Sequence, residues 1–345
     1  MLFWRGFPSV MGLGASALGP DPQGTSAREA FARACLLLQE RHDGVRSLLR
    51  CRLSRIAADC VCKMQRWRVD LKEASGLSDQ DVEIALRQAP CVNVMEEGAT
   101  TPLRVVLCAL GACRRIAFLS LPSSRIGAEE AGLLVSTIKT RPWKRLVKLN
   151  LDHNGMGDAG AVLVAEGMAE CAGSLRVLSL CNNSIRRDGA IALSKSMRAC
   201  SSSLTALQLD HNDIGDQGAV AIAEGMRACA GSLRLVHLSH NGISHVGARA
   251  VSEAMTACAG TLRDVGLGWN AITADGAAAV SSGMLSCSNS LHSLALYHNA
   301  IGDRGAAVVS RGMNACAGVI RRIVLHNCGI GDDGAVALAR GIKVC

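Results

Sequence analysis

A period of 29 residues runs through the sequence from residue 146 onward and restricts the folds that this chain can adopt. Seven successive units begin at Leu146, Leu175, Leu204, Leu233, Leu262, Leu291 and Ile320. An earlier, more degenerate copy begins at Ile116, thirty residues before the first of them. Such an array predicts a solenoid, in which each unit buries its apolar face only by stacking on its neighbours.

The third unit, LTALQLDHNDIGDQGAVAIAEGMRACAGS, shows the pattern most clearly. The alternation of Leu207 and Leu209 predicts a short strand with one buried face. The asparagine that follows, Asn212 in this unit, is expected to hydrogen-bond the backbone of the turn leaving the strand. Stacked copies would then form a ladder of buried polar groups. These copies are Asn154, Asn183, Asn212, Asn241, Asn270 and Asn299.

The second half of each unit predicts a helix. Aspartates at its expected start are interpreted as N-caps of that helix, namely Asp158, Asp216, Asp303 and Asp332. A glycine-alanine pair in the next turn would allow close backbone approach. The methionines are expected to fill the inner helix face, and Ile342 takes that place in the last copy.

Seven of the 16 cysteines also follow the period. They are Cys171, Cys200, Cys229, Cys258, Cys287, Cys316 and Cys345. A cysteine that recurs in one structural place behaves as a small buried hydrophobe, and the sequence contains no CxxC pair. We therefore predict reduced thiols in a reducing compartment, which indicates a cytoplasmic or nuclear location.

The strand–turn–helix unit resembles the leucine-rich repeat of the ribonuclease-inhibitor subfamily, whose repeats of about 28–29 residues each carry a full helix. The resemblance covers residues 116–345. It implies an α/β horseshoe solenoid with a parallel sheet on the concave side and helices outside. Two copies depart from the pattern, because Ser124 and Cys328 replace the asparagine. The last unit has no obvious polar cap, which leaves open a truncated chain or a docked partner.

The sequence before the repeats divides into two further segments. Residues 1–27 are predicted to be disordered or a weak targeting segment, because an apolar start is interrupted by glycine and proline. Residues 28–113 are predicted to form a helical N-terminal cap on the repeat domain, which spans 114–345. Apolar residues at helical spacing between 45 and 67 alternate with basic ones. Such a helix could instead contact an acidic helix-binding protein or an anionic membrane surface.

Composition and motifs exclude several classes of function. The net charge of +8 is not concentrated in the dense basic face that is typical of nucleic-acid binders, so no nucleic-acid partner is predicted. No apolar run is long enough to span a membrane. Phosphate-binding loops, nucleophile elbows and zinc-protease motifs are absent. A calcium-loop-like stretch begins at Asp210, but Ala221 stands where its bidentate glutamate is needed. The sequence thus predicts no enzyme, no cofactor and no metal.

The most informative residues are those that the repeat does not dictate. The fifth, seventh and eighth positions of each unit are expected to face the concave surface or its rim. Across the third to sixth units they include Asp210, His211, His237, His240, Trp269, Tyr297 and His298. Exposed aromatic and histidine side chains on a rigid sheet are typical of a binding hot spot, which predicts a protein partner on the concave face. Decoration without function, or a metal site from Asp210, His211, His237 and His240, remains the alternative.

Two functions follow from the resemblance. The first is a non-catalytic protein-interaction scaffold, similar to the repeat regions of NOD-like receptors but without their nucleotide-binding module. The second is a GTPase-activating protein similar to the Ran-type activators, in which Arg125 would serve as an early-repeat arginine acting on a small GTPase. Those activators typically carry an acidic C-terminal tail, and this sequence ends at Cys345 without one.

Overall fold

The computed structural model describes residues 68–70, 91–93, 110, 116–140 and 143–342. Ten strands form one parallel sheet in sequence order: β1 Arg68–Asp70, β2 Cys91–Asn93, β3 Phe118–Ser120, β4 Lys148–Asn150, β5 Val177–Ser179, β6 Ala206–Gln208, β7 Leu235–His237, β8 Asp264–Gly266, β9 Ser293–Ala295 and β10 Arg322–Val324. Eight helices alternate with the strands from β3 onward: α1 Ala128–Thr140, α2 Gly157–Glu170, α3 Arg187–Met197, α4 Gly215–Ala228, α5 His245–Ala257, α6 Ala274–Ser286, α7 Gly302–Ala315 and α8 Asp332–Ile342. The predicted α/β solenoid is confirmed.

The sheet extends further toward the N-terminus than the repeats recognised in the sequence. Strands β1 and β2 lie within the segment predicted as a helical cap, and β2 pairs in parallel with β3. The other residues of 28–113, except Leu110, lie outside the described part of the chain, as do all of residues 1–27. The cap, its basic helix and the boundary at 113/114 therefore stay predictions.

The core consists of equivalent layers, one for each repeat. In the third unit Leu207, Leu209, Met226 and Cys229 are all fully buried, as predicted. The last layer differs, because Ile342 is 62% exposed instead of filling the methionine place. Helix α8 packs on α7 along one side only in the described structure, so its other side faces solvent.

The asparagine ladder is confirmed, and its hydrogen bonds join neighbouring repeats. The Oδ1 atom of Asn212 accepts hydrogen bonds from the backbone N–H groups of Asn183 and Ile185 in the preceding unit, at 3.0 and 2.9 Å. Its amide nitrogen donates to the carbonyls of Leu180 and Leu209, at 3.0 and 2.9 Å. A single buried side chain thus satisfies backbone groups of two turns.

The prediction that the aspartates cap their own helices is wrong. Asp216 lies inside the first turn of α4, and its Oδ1 accepts from the backbone N–H groups of Ser244 and Gly247, at 2.7 and 3.0 Å. These groups begin α5, the helix of the next repeat. Asp158 and Asp303 bind the following helix in the same way. A Cβ at Gly247 would lie 2.8 Å from Asp216 Oδ1, which explains why glycine occupies that position.

The periodic cysteines within the described residues carry free, buried thiols. Each thiol from Cys200 to Cys316 donates a hydrogen bond to a methionine carbonyl of the preceding repeat, as from Cys229 to Met197 at 3.4 Å. Burial, together with the neighbouring Cys200 and Cys258, raises the pKa of Cys229 to about 12. A thiol that stays protonated is a poor nucleophile, so this column has a packing role.

Candidate functional site

The eighth position of every repeat from β3 to β10 has the same left-handed backbone conformation. These residues, with φ between 50° and 58°, are Ser123, His153, Asn182, His211, His240, Trp269, His298 and Asn327. Asparagine and histidine tolerate this conformation comparatively well, whereas a bulky side chain such as that of Trp269 is an outlier. The shared conformation holds the eight side chains in one column along the rim of the sheet.

Four of these side chains form a continuous stack, which we call the rim stack: His211, His240, Trp269 and His298. Successive ring centroids are 4.5, 5.3 and 3.8 Å apart, with interplanar angles of 22°, 28° and 13°. The Asn327 amide nitrogen lies 2.8 Å from Nε2 of His298 and extends the column into the last repeat. The stack occupies most of the ring faces, while Trp269 remains 48% exposed.

Tyr297 lies beside the rim stack on the seventh position of its unit. Its ring stacks on His326 at 4.9 Å and meets the edge of His298 at 6.1 Å. It also packs over the backbone of Gly268, where a Cβ would come within 2.3 Å of the ring. The glycine therefore makes room for the tyrosine. His326 was missed by the sequence analysis, although it occupies the same seventh position in the next unit.

His237 lies on β7 between two carboxylates, apart from the rim stack. Its Nε2 is 3.3 Å from Asp264 Oδ1, and its Nδ1 is 3.7 Å from Asp210 Oδ2. Partial burial alone would lower the pKa of His237. The hydrogen bond with Asp264 and the charges of Asp210 and Asp264 outweigh that effect and raise the pKa above its usual 6.5. Asp264, which the sequence alone did not indicate, is thus the second carboxylate in contact with His237.

Asp210 mainly supports the sheet. Its Oδ1 accepts a hydrogen bond of 2.7 Å from the backbone N–H of Ser239 in the next repeat. Its other oxygen lies 3.9 Å from the thiol of Cys181 in the preceding repeat. Burial, followed by the charges of Asp152 and Asp210, raises the pKa of this thiol to about 12. The two carboxylate oxygens of Asp210 therefore contact both neighbouring repeats, through Ser239 and Cys181.

The structure separates the four residues considered as a metal site. His211 and His240 are stacked on the rim, whereas His237 Nδ1 faces Asp210 Oδ2 at 3.7 Å, beside the sheet. Within the described part of the chain, no three histidine, cysteine, aspartate or glutamate side chains are grouped to hold a metal ion.

Arg125, the residue considered for GTPase activation, is exposed and has a φ of 53°. It lies in the turn after β3, whereas Asp210 lies in the turn after β6, three strands away. The structure leaves its role in GTPase activation a prediction.

Family comparison explains the repeating architecture. A model described as Leucine Rich repeat matches five segments, 146–165, 200–223, 232–252, 287–310 and 320–339. Residues 146–339 are leucine-rich repeats. No curated protein matches the sequence. None of the described helices of this leucine-rich repeat chain is long and apolar enough to cross a membrane.

Sixty-five chains of solved structures match this one. They include the actin-binding site 2 of leiomodin-1, at 16% sequence identity and a TM-score of 0.37. The match covers 45% of the present chain and 89% of the leiomodin-1 chain.

Proposed function

We propose that this leucine-rich repeat chain is a non-catalytic recognition module that binds a protein partner on its concave face. The contact centres on Trp269 and Tyr297, and the flanking residues Asp210, His211, His237, His240 and His298 complete it. The observation that carries the proposal is the rim stack with its exposed indole. Repeats of 29 residues with helices of 11–14 residues support a solenoid of the ribonuclease-inhibitor type.

The conformation of Trp269 argues that the stack has a function beyond packing. A left-handed backbone costs a residue other than glycine about 1–2 kcal/mol. Asparagine occupies the same left-handed position in two other repeats, at Asn182 and Asn327. The tryptophan is half exposed, so the core gains little from it. A costly conformation that the fold does not need is a reason to look for a ligand.

The residues around Trp269 fit a protein better than a nucleic acid. Single strands bind through free aromatic faces combined with a positive groove. Here the faces of the rim stack are taken up by its own rings, which leaves mainly their edges exposed. The neighbouring Asp210 and Asp213 carry negative charge, which opposes phosphate. Aromatic edges next to carboxylates suit the mixed polar and apolar surface of a protein.

A comparative capture experiment tests this proposal. The native protein, the double variant W269A/Y297A and the control V246A/L285A are immobilised and exposed to one cell extract. The control removes exposed apolar side chains from α5 and α6 that do not belong to the rim stack. A protein enriched by the native and control forms and lost with the double variant supports the proposal. Equal enrichment by all three forms contradicts it.

A further inference from the structure

A second surface lies at the opposite ends of the strands. The residue at the second position of each unit immediately precedes its strand. In the second to seventh units it is Arg176, Thr205, Arg234, Arg263, His292 and Arg321. We call the four arginines and His292 the basic row. All four arginines are exposed, and His292 is half-buried.

Backbone hydrogen bonds align the basic row from one repeat to the next. The carbonyl of Arg234 accepts from the N–H groups of Arg263 and Asp264, at 2.8 and 3.0 Å. The carbonyls of Arg263 and His292 bind the following repeat in the same way. Neighbouring members therefore start about 4.8 Å apart, the spacing of paired strands. Four consecutive repeats, from Arg234 to Arg321, present a cation or a titratable imidazole.

Folding does not account for this row. Within the described residues, none of its guanidinium groups forms a hydrogen bond or an ion pair. By contrast, Arg227, which lies outside the row, forms an ion pair with Glu253 at 3.1 Å. Like charges that face each other across neighbouring strands destabilise a sheet. A row of unpaired arginines is therefore a cost for the isolated solenoid, and an anionic ligand would remove that cost.

Aspartates are frequent at the other edge of the sheet, where the strands end, and they restrict the width of a ligand that the basic row can bind. The turns after the strands and the first helical turns contain Asp152, Asp158, Asp188, Asp210, Asp213, Asp216, Asp275 and Asp303. Among the first three positions of the repeats, only Asp264 is acidic, and it is already bonded to His237. The strands are three residues long, so about 10 Å of sheet separates the two edges. A narrow anion fits the basic row without reaching the aspartates.

We propose that the basic row binds an acidic segment of a partner protein. A chain of glutamate or aspartate side chains is narrow enough to lie along the row from Arg234 to Arg321. A nucleic acid or a membrane surface would extend over the aspartates on the far edge. This inference goes beyond the contact centred on Trp269 and Tyr297, because the two surfaces share no residue.

The test uses a fluorescein-labelled oligoglutamate peptide as the probe, with binding measured by fluorescence anisotropy at low and physiological ionic strength. The row variant R234Q/R263Q/R321Q is compared with R249Q/R304Q/R311Q, which removes the same charge from exposed positions on α5 and α7. We expect native affinity to fall as salt rises, because exposed charges are screened. The row variant should bind about tenfold more weakly, and the control within about twofold of native.

Three further arms decide the identity of the ligand. The variant W269A/Y297A should bind oligoglutamate normally, so a failure of the rim contact and a failure of the basic row are distinguishable. Equal losses in the row variant and the control would overturn the inference. It would also be overturned if oligothymidylate or phosphatidylserine vesicles bound the native protein more tightly than the peptide did, and lost that binding in the row variant.

Discussion

At the scale of single residues, each asparagine of the buried ladder hydrogen-bonds several backbone groups. Asn212 joins the turns of two units through hydrogen bonds to four backbone groups at 2.9–3.0 Å, besides a weaker one to Asp210. Leaving buried partners of this kind unsatisfied costs about 1–3 kcal/mol. We therefore expect Asn212→Ala to lower the free energy of unfolding by that amount in urea denaturation.

The matched control for this substitution is Asn314→Ala. Asn314 is exposed on α7 and has an ordinary helical backbone, unlike the left-handed asparagines of the rim. Its replacement should change the unfolding free energy by less than about 0.5 kcal/mol. Equal effects of the two substitutions would show that the buried ladder is not a special source of stability.

His237 gives the solenoid a pH-dependent contribution with a defined sign. Its folded pKa is raised by Asp264 and Asp210, so its protonated form stabilises the fold. That contribution is fully present below the unfolded pKa of about 6.5 and is lost as pH rises through the folded pKa. The variant His237→Gln should therefore lose more thermal stability relative to native at pH 5.5 than at pH 8.5.

His211→Gln serves as the control for the pH experiment, because no carboxylate among the described residues contacts its ring. Its stability difference from native should vary less between the two pH values. A His237→Gln difference that is independent of pH, or larger at pH 8.5, would contradict the assigned pairing.

At the scale of elements, the starts of α3, α5 and α8 depend on an aspartate of the preceding repeat. Asp216 supplies the carboxylate that caps α5 through Ser244 and Gly247, and hydrogen bonds from both residues offset its burial and lower its pKa. Loss of a helix cap costs about 1 kcal/mol. Asp216→Ala should cost about that much in urea unfolding, whereas Asp275→Ala, in the first turn of α6, should cost less. Similar values would contradict capping across repeats.

The cysteine column leads to a chemical prediction at the same scale. Buried thiols with pKa values of about 11 to 12 should react slowly with iodoacetamide in the folded protein and quickly in denaturant. Mass spectrometry of the unreduced protein should show no disulfides from Cys171 to Cys316. Bridges between neighbouring repeats would overturn the assignment to a reducing compartment.

The sequence predicted the repeating elements well because the same pattern recurs in every unit. Leu207, Asn212 and Met226 occupy the places that their spacing indicated. The caps were assigned to the wrong helix. Asp216 contacts Gly247, 31 residues away, and the sequence of one unit does not show whether its aspartate binds its own helix or the helix of the next unit. Strands β1 and β2 were missed because the sequence around them lacks the 29-residue signature.

At the scale of the whole molecule, the stacked repeats determine which side chains meet. The sequence identified the composition of the rim, but the rim stack itself depends on the left-handed backbone at the eighth position. Only the structure shows that Trp269 is held between His240 and His298, and that Asp264 is the partner of His237. The basic row likewise becomes a surface only when the units are aligned.

The central claim is that the concave rim binds a protein partner through Trp269 and Tyr297. The most direct measurement is the affinity of a captured partner for three forms of the chain by isothermal titration calorimetry: native, W269A/Y297A and V246A/L285A. Removal of two central aromatic anchors should weaken binding at least about tenfold, since each such anchor is worth about 2 kcal/mol or more. The control should bind as the native form does, and all three should retain the same circular dichroism spectrum. Native affinity in the double variant would contradict the claim.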